Sequence, residues 1–277
     1  MADLLIELVS EEIPARMQAG ASHDLARLIE LALTKLGVWT DASTVTATCA
    51  TRHLLAYATD IRVSQPDQII EKRGPRIDAP AVAVSGFSNS VGVERSALTE
   101  EETPKGKFFF ARTRIMGNET LPLLTPMIVD MLEKFPWPKS QRWGRGRFRW
   151  VRPLHRVNVL FDGKAVNGKI DLGNGGYIEF GTTSCGHYFE SPKDIDFNGI
   201  VSLDDVKNRL RNAFVMIDAT ERYDTILAGA QTLASSKSCE VNKAQLGNYL
   251  ADIAGLVEWP TLLMGQIEKR FMALPPE

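Results

Sequence analysis

Hydrophobic and polar residues form two kinds of pattern over the first 200 positions. Short apolar runs of strand length predict strands at residues 4–9, 45–48, 54–58, 108–114, 157–161 and 166–172. Apolar residues three and four positions apart favour amphipathic helices, and they predict helices at residues 22–36, 81–90 and 121–135. Strands and helices interspersed in this way predict an α+β fold, with mixed or antiparallel sheets and packed helices.

Turn residues separate these elements. The apolar runs at 45–48 and 54–58 flank Thr51-Arg52-His53 and predict an antiparallel hairpin with a short loop. Residues 63–80 are polar and rich in turn formers, so we predict a loop there. Closely spaced glycines predict irregular structure over residues 173–181.

Only helical patterns follow beyond residue 200. Ser202 with Asp205, and Asp218 with Glu221, resemble weak capping boxes that start helices running to about residues 214 and 235. Asn242 is a third candidate start, for a helix that ends near residue 254.

This change of pattern divides the chain into two predicted domains. The first is an α+β domain at residues 1–200, and the second is a helical segment at residues 201–277. The closing residues 274–277 do not fit a folded element. We therefore expect the helical segment to be truncated.

Composition excludes several classes of protein. Hydrophobic residues make up 44% and charged residues 24% of the chain, which is ordinary for a soluble globular protein and too apolar for disorder. No run approaches the roughly 18 consecutive apolar residues of a membrane helix, and residues 1–9 lack the basic start of a signal peptide. Cys49, Cys185 and Cys239 lie far apart without a CxxC pair, which indicates free thiols in a reducing cytosol. We expect a cytoplasmic protein that does not bind a membrane.

The net charge of −2 hides an uneven distribution. Residues 134–156, called the basic segment below, contain eight Lys/Arg and no Asp or Glu. Subtracting these eight from the 32 basic residues leaves 24 against 34 acidic ones, or −10, for the remainder. A local cationic stretch on an acidic protein attracts a polyanion to one place.

The basic segment interleaves its cations with aromatic side chains. Nucleic acids need cations along their phosphates and flat faces against unpaired bases, and arginine forks onto phosphate oxygens. The predicted phosphate contacts are Lys139, Arg142, Arg145, Arg147, Arg149 and Arg152. Trp143 and Trp150 are predicted to stack on bases or to support the segment, and the loop residues Arg52, Arg73 and Lys105 are further predicted contacts.

The segment also admits a purely structural interpretation, in which the aromatics are core and the arginines pair with acidic neighbours. If residues 148–152 are extended, Phe148, Trp150 and Arg152 share one face while Arg147, Arg149 and Val151 share the other. The sequence alone leaves both interpretations open.

Catalytic motifs are weak by comparison. Glu11 and Glu12 form a possible acid/base pair, but adjacent carboxylates at a helix start are more often dipole partners. Cys185 and His187 suggest a nucleophile pair without a third member. The histidines lack zinc spacing, and neither GxxxxGK[ST] nor GxGxxG is present. We predict no catalytic centre and no metal site.

An ordered series of short motifs resembles a known family. The motifs are Glu11-Glu12-Ile13-Pro14-Ala15-Arg16, Ala50-Thr51-Arg52-His53-Leu54, Arg73-Gly74-Pro75, Gly86-Phe87, Thr103-Pro104-Lys105-Gly106, Pro138-Lys139-Ser140-Gln141-Arg142-Trp143-Gly144, Phe148-Arg149-Trp150-Val151-Arg152-Pro153-Leu154-His155, Gly186-His187-Tyr188-Phe189 and Leu256-Val257-Glu258-Trp259-Pro260. Together they resemble the N-terminal portion of the β subunit of bacterial glycyl-tRNA synthetase. The chain departs from the family pattern at Arg145 and Arg147, where acidic residues are usual, so it is unusually basic there.

The resemblance implies a role in a larger assembly. Members of the family form α2β2 heterotetramers in which the α subunit activates glycine with ATP and Mg²⁺, while the β subunit engages tRNA(Gly). We therefore expect tRNA and the α subunit as partners, no DNA partner and no cofactor in this chain. Two alternatives stay open: a module that docks on the α subunit without touching RNA, and a hydrolase that edits mischarged tRNA through His187 or His53.

Overall fold

The computed structural model describes residues 1–242, 246, 249–268 and 270–271. Its strands are β1 (Ala2–Ser10), β2 (Thr44–Ala50), β3 (His53–Ile61), β4 (Gln68–Arg76), β5 (Thr99–Thr103), β6 (Gly106–Ile115), β7 (Leu154–Phe161), β8 (Lys164–Ala165), β9 (Lys169–Asp171), β10 (Tyr177–Gly181), β11 (Thr183–Cys185) and β12 (Asp194–Asp196). Its helices are α1 (Ala15–Lys35), α2 (Ala81–Val91), α3 (Thr120–Glu133), α4 (Leu203–Arg211), α5 (Ala219–Ser236) and α6 (Tyr249–Leu256). The α+β prediction is confirmed.

One large sheet organises the main body. Its order is β2-β3-β1-β7-β10-β9, with β8 paired to β7. The described pairings are antiparallel except for the parallel pair of β10 and β7. The predicted hairpin of β2 and β3 is confirmed, with Ala50 opposite His53 at its closed end.

Both faces of the central strand β1 are buried. Leu4, Ile6 and Leu8 point to one face, where they pack in a single cluster with apolar residues of α1 and α3. Leu5 points to the other face, where α4 contributes Leu210 to a second cluster. Alternate residues of a strand face opposite sides, so a nearly continuous apolar run, broken here only by Glu7, suits a strand covered on both faces.

A small insertion interrupts the main body between β3 and α3. It consists of the sheet β4-β6-β5 with α2 packed against β4 and β6. Two backbone hydrogen bonds close its base, from Gln65 to Asn118 and from Thr120 to Val63, both 2.8 Å long. Gly74 is required there because a Cβ at this position would lie 2.4 Å from the Phe87 ring of α2.

The structure corrects several predicted boundaries. The predicted loop at 63–80 is wrong because β4 forms there by pairing with β6, and its nearly continuous exposure leaves no apolar rhythm. The irregular stretch predicted at 173–181 contains β10. α1 begins seven residues earlier than predicted, directly after Pro14, a residue that favours helix starts.

The predicted helix starts beyond residue 200 are confirmed where the structure describes them. The Ser202 side chain accepts a hydrogen bond from the Asp205 amide, and that of Asp218 accepts from Thr220 and Glu221. The start predicted at Asn242 adjoins residues 243–245 and 247–248, which lie outside the described residues. No helix among the described residues is long and apolar enough to cross a membrane. The division at residue 200 stays a prediction.

Candidate nucleic-acid interface and adjoining cavity

The middle of the basic segment forms a loop closed at its base. Gln141 and Trp150 exchange backbone hydrogen bonds of 2.8 and 3.1 Å, and the turn between them passes through Gly144 at φ 55°. The Arg147 amide donates to the Leu172 carbonyl at 2.6 Å, which fixes the loop to the residue after β9. We call residues 139–152 the basic loop.

The charged side chains of the basic loop point into solvent. The exposed residues are Lys139, Arg142, Arg145, Arg147, Arg149 and Arg152. Within the described part of the chain, none of these six forms an ion pair, whereas Lys134 pairs with Asp130 and Arg156 with Asp194 at the two ends of the segment. Pairing of the arginines with acidic neighbours, one of the two interpretations of the sequence, is therefore not what the structure has.

The aromatic side chains lie beneath this charged surface. Trp150 is 0% exposed, and its ring centroid is 5.1 Å from that of Phe135 and 5.0 Å from that of Trp137. The hypothesis that Trp150 stacks on a base is wrong because neither ring face is accessible, and its role is structural support. Trp143 is half-buried with its ring edge-on to Phe148.

The predicted alternation of faces holds only partly. Phe148 and Trp150 face inward while Arg147 and Arg149 face outward, as an extended chain requires. At the next two positions Val151 is buried and Arg152 exposed, the reverse of the prediction. The chain bends at both residues before it enters β7.

Arg52 is not available as a phosphate contact. Its guanidinium forms two hydrogen bonds of 2.8 Å with the Glu258 carboxylate and a third of 3.0 Å with the Gly186 carbonyl. The other two outlying residues lie in the insertion and stay exposed. Arg73 lies on β4 with its guanidinium over the Phe108 ring of β6, and Lys105 occupies the turn between β5 and β6.

A buried polar network lies behind Arg52 and was not predicted. Glu7, fully buried in the centre of β1, accepts hydrogen bonds from Ser184 and Asn158, each 2.7 Å long. Its carboxylate also lies 2.9 Å from Nδ1 of the fully buried His53. A charged residue inside the apolar run 4–9 was the available sequence signal, since a carboxylate is rarely buried without partners.

Neighbouring groups in the network stabilise the charged forms of His53 and Glu258. Burial lowers the pKa of His53, but hydrogen bonding to Cys185 and Glu7 outweighs it and raises the pKa to about 10. Burial raises the pKa of Glu258, while Arg52 and His53 act in the opposite direction and leave it below the usual value. The network is therefore a set of matched charges.

Cys185 contacts His53 and not His187. Its Sγ lies 4.0 Å from His53 Nε2 and 3.7 Å from Arg52 Nη1. The His187 ring instead accepts hydrogen bonds from the Phe189 and Glu190 amides, which shapes a turn. Cys185 and His187 therefore do not form the nucleophile pair that their proximity in the sequence suggested. The order Glu7–His53–Cys185 brings a carboxylate, an imidazole and a thiol together.

A cavity of about 760 Å³ lies beside the buried network, with Arg52 and Cys185 in its wall. Four of the nine motifs that carry the family resemblance contribute residues to it, although they are far apart in sequence. Its walls include Glu11, Glu12, Arg52, His155, Arg156, Cys185, Tyr188, Lys193 and Asp194. Among the residues that the structure describes, no group of three or more His, Cys, Asp or Glu is arranged to hold a metal ion.

Comparison with known proteins agrees with this convergence of motifs. A family model described as glycyl-tRNA synthetase beta subunit matches residues 4–277. The chain belongs to this family. Glycine--tRNA ligase beta subunits from Paracoccus denitrificans and Ruegeria sp. are 40% and 38% identical over the whole chain, and that from Rhodospirillum centenum is 37% identical.

The match covers only part of each relative. The chain spans 39% of the Paracoccus and Ruegeria proteins and 41% of the Rhodospirillum protein. Within the glycyl-tRNA synthetase β family, it therefore corresponds to about two fifths of the relatives' length.

Proposed function

We propose that the chain engages tRNA(Gly) for a glycine–tRNA ligase and has no catalytic centre of its own. Six exposed Lys/Arg side chains on the basic loop, without carboxylate partners in the described structure, carry this proposal. Like charges held together without counterions repel one another and gain most from a polyanion that neutralises them. The role is to bind the tRNA body or acceptor arm, so that the 3′ end reaches the active site of a partner.

The partner in this proposal is the α subunit, in an α2β2 assembly in the cytoplasm. ATP and Mg²⁺ would act in the α subunit, since the chain lacks recognised phosphate-binding loops. The relatives are named as beta subunits of glycine–tRNA ligase, which supports a partner subunit of another kind.

The basic loop has the geometry of a phosphate-binding surface. Its base is closed by the Gln141–Trp150 pairing and its aromatics are packed against the main body. The arginines thus project from a fixed frame, and less conformational freedom is lost when RNA binds. Trp143, half-buried at this surface, retains the predicted stacking role.

A salt titration of tRNA(Gly) binding tests the proposal. Replacement of Arg142, Arg145 and Arg147 by alanine should weaken binding and reduce the slope of log K against log salt by roughly 0.9 for each lost phosphate contact. The matched control replaces Arg16, Arg27 and Arg211, three exposed arginines that pair with carboxylates. It changes the net charge equally and should leave the slope nearly unchanged.

The docking alternative predicts a different result. If the basic loop binds an acidic surface of the α subunit, the first triple variant keeps its tRNA slope and loses α-subunit binding. Equal slopes for wild type and both variants would remove the assignment of the basic loop to RNA.

A further inference from the structure

The cavity begins where the basic loop ends. The Glu11 amide donates a 3.0 Å hydrogen bond to the Pro153 carbonyl, so the cavity wall is joined directly to the chain that follows Arg152. His155 and Arg156, the next lining residues, belong to the same segment. The exposed Arg152 at the end of the basic loop is thus only three and four positions from two residues that line the cavity.

Most charges that line the cavity are already paired. Arg52 binds Glu258, Arg156 binds Asp194 at 2.8 Å, and His155 lies 2.8 Å from Glu11. Two lining side chains remain, the carboxylate of Glu12 and the ammonium of Lys193. Both are exposed, and neither forms an ion pair or a side-chain hydrogen bond with the residues that the structure describes.

Two exposed aromatic rings stand at the rim. Tyr188 is 69% and Phe189 81% exposed, with their centroids 5.2 Å apart in an edge-to-face pair. Tyr188 also lines the cavity and lies under the Arg52 guanidinium at 5.9 Å. Exposed rings beside cations are the usual platform for unpaired bases.

We propose that this cavity binds the terminal nucleotide of a tRNA after aminoacylation, when it carries an α-amino acyl group. Glu12 receives the α-ammonium, Lys193 receives a phosphate, and Tyr188 stacks on the base. A nucleotide without an aminoacyl group makes no contact with Glu12, and a free amino acid makes none with the aromatic rim. The aminoacyl nucleotide satisfies all three side chains.

This inference rests on the proposed function, because the basic loop supplies the path to the cavity. It goes further by assigning a separate site to the aminoacylated 3′ end of the tRNA. The aminoacyl group is thereby a determinant of binding, and not only the RNA.

Cys185 reports on the occupant because its thiol lines the cavity. The other two cysteines serve as internal controls. Cys49 is buried, and burial raises the pKa of its thiol to about 12, so it should not react. Cys239 is exposed on another part of the chain and should react as an ordinary thiol.

The experiment measures alkylation of the 277-residue chain by iodoacetamide, with mass spectrometry at each cysteine. The probe is an RNA minihelix with the acceptor arm of tRNA(Gly) that ends in 3′-glycylamino-adenosine, whose amide replaces the labile ester. At about ten times its Kd or more it should slow alkylation of Cys185 about tenfold or more, because only the unoccupied fraction of the chain reacts. Alkylation of Cys239 should not change.

Two variants identify the contacts. The chain should bind the glycylated minihelix about tenfold more tightly than the minihelix without glycine. Glu12→Gln should remove this preference, because a neutral amide no longer pairs with the α-ammonium. Lys193→Ala should weaken the binding of both minihelices by the same factor, because both carry the phosphate that Lys193 contacts. Glu179→Gln, another exposed carboxylate on β10, is the matched control and should keep the preference.

The failure of this inference is distinct from the failure of the proposed function. If the glycylated minihelix binds in a filter assay while Cys185 reacts at its free rate, the end lies elsewhere and the inference is overturned. If no minihelix binds, 3′-glycylamino-adenosine 5′-phosphate decides: protection of Cys185 supports the cavity site, and an unchanged rate overturns it.

Discussion

The basic loop and the buried network use charged residues in opposite ways. In the network, Glu7, His53, Arg52 and Glu258 satisfy one another within the protein. In the basic loop, six cations face solvent with no carboxylate partner in the described structure. The first arrangement stabilises one conformation, and in the proposed function the second is available to bind RNA.

Charges that stabilise the fold should respond to substitution differently from exposed charges of the kind proposed to bind a partner. Removal of one member of a buried pair leaves the other charge unsolvated, which is costly. Removal of an exposed cation costs little because water solvates what remains. Arginine occurs in both regions, so the same substitution can be made in each.

The largest expected difference is between Arg52→Ala and Arg147→Ala. Arg52→Ala should lower the free energy of unfolding by about 3–5 kcal/mol, since the buried Glu258 loses its guanidinium partner and keeps only Thr51 and His53 beside its carboxylate. Arg147→Ala should change it by less than about 0.5 kcal/mol and should weaken tRNA binding instead. Urea unfolding and filter binding measure the two quantities.

Arg52→Lys sharpens this prediction. Lysine keeps the charge but cannot form the two-pronged contact with Glu258, so its stability should lie between wild type and Arg52→Ala. Similar losses of stability for Arg52→Ala and Arg147→Ala would show that the two regions do not differ as described.

The second prediction concerns pH. The pKa of His53 is about 10 in the folded chain against 6.5 for a free histidine. The folded state binds this proton more tightly, so its stabilisation is fully present below about pH 6.5 and is lost as the pH rises through about 10. The free energy of unfolding should fall across that window, with a slope of at most about 1.4 kcal/mol per pH unit for one proton.

Two histidine variants measured by urea unfolding from pH 6 to 10 check this effect. His53→Gln should give a flatter profile than wild type. His23→Gln, at an exposed position of α1, should keep the wild-type slope. Parallel profiles for wild type and His53→Gln would mean that His53 is neutral throughout. At acid pH, the lowered pKa of Glu258 acts in the other direction, and its stabilisation is lost as the pH falls.

The elements that the sequence predicted well are those with local signals. β1, β3 and β7 are apolar runs buried in the main body, and α1 and α3 carry an apolar stripe. β4 escaped prediction because it is an edge strand of a small sheet with most side chains in water. It forms by pairing with β6, and this long-range contact produces no periodic pattern of apolar residues in the sequence.

The same distinction applies to the site. The basic loop could be predicted because its charges are contiguous. The network could not, since Glu7 lies 46 residues from His53 and 177 from Ser184. Cys185 was paired with His187 by proximity in sequence, yet the fold pairs it with His53, 132 residues away. The cavity depends on the same long-range convergence.

The smallest expected effect tests the frame of the basic loop. Gly144 has φ 55° and open space around it, so alanine there meets no clash but adopts a strained backbone conformation. Gly144→Ala should cost about 1 kcal/mol of stability, and it should weaken tRNA binding because Arg142 and Arg145 are displaced together. Gly144→Asn should cost less, since asparagine tolerates this conformation.

Gly20→Ala is a control in which the expected change in stability has the opposite sign. Gly20 lies inside α1, also with open space around it. Gly20→Ala should raise stability by roughly 0.5–1 kcal/mol and leave tRNA binding unchanged. Thermal unfolding and filter binding of both variants would separate strain in the basic loop from a general response to alanine. If Gly144→Ala keeps full tRNA affinity, RNA binding by the arginines does not depend on the conformation of the basic loop. The basic loop and the buried network would then differ only in the exposure of their charged side chains.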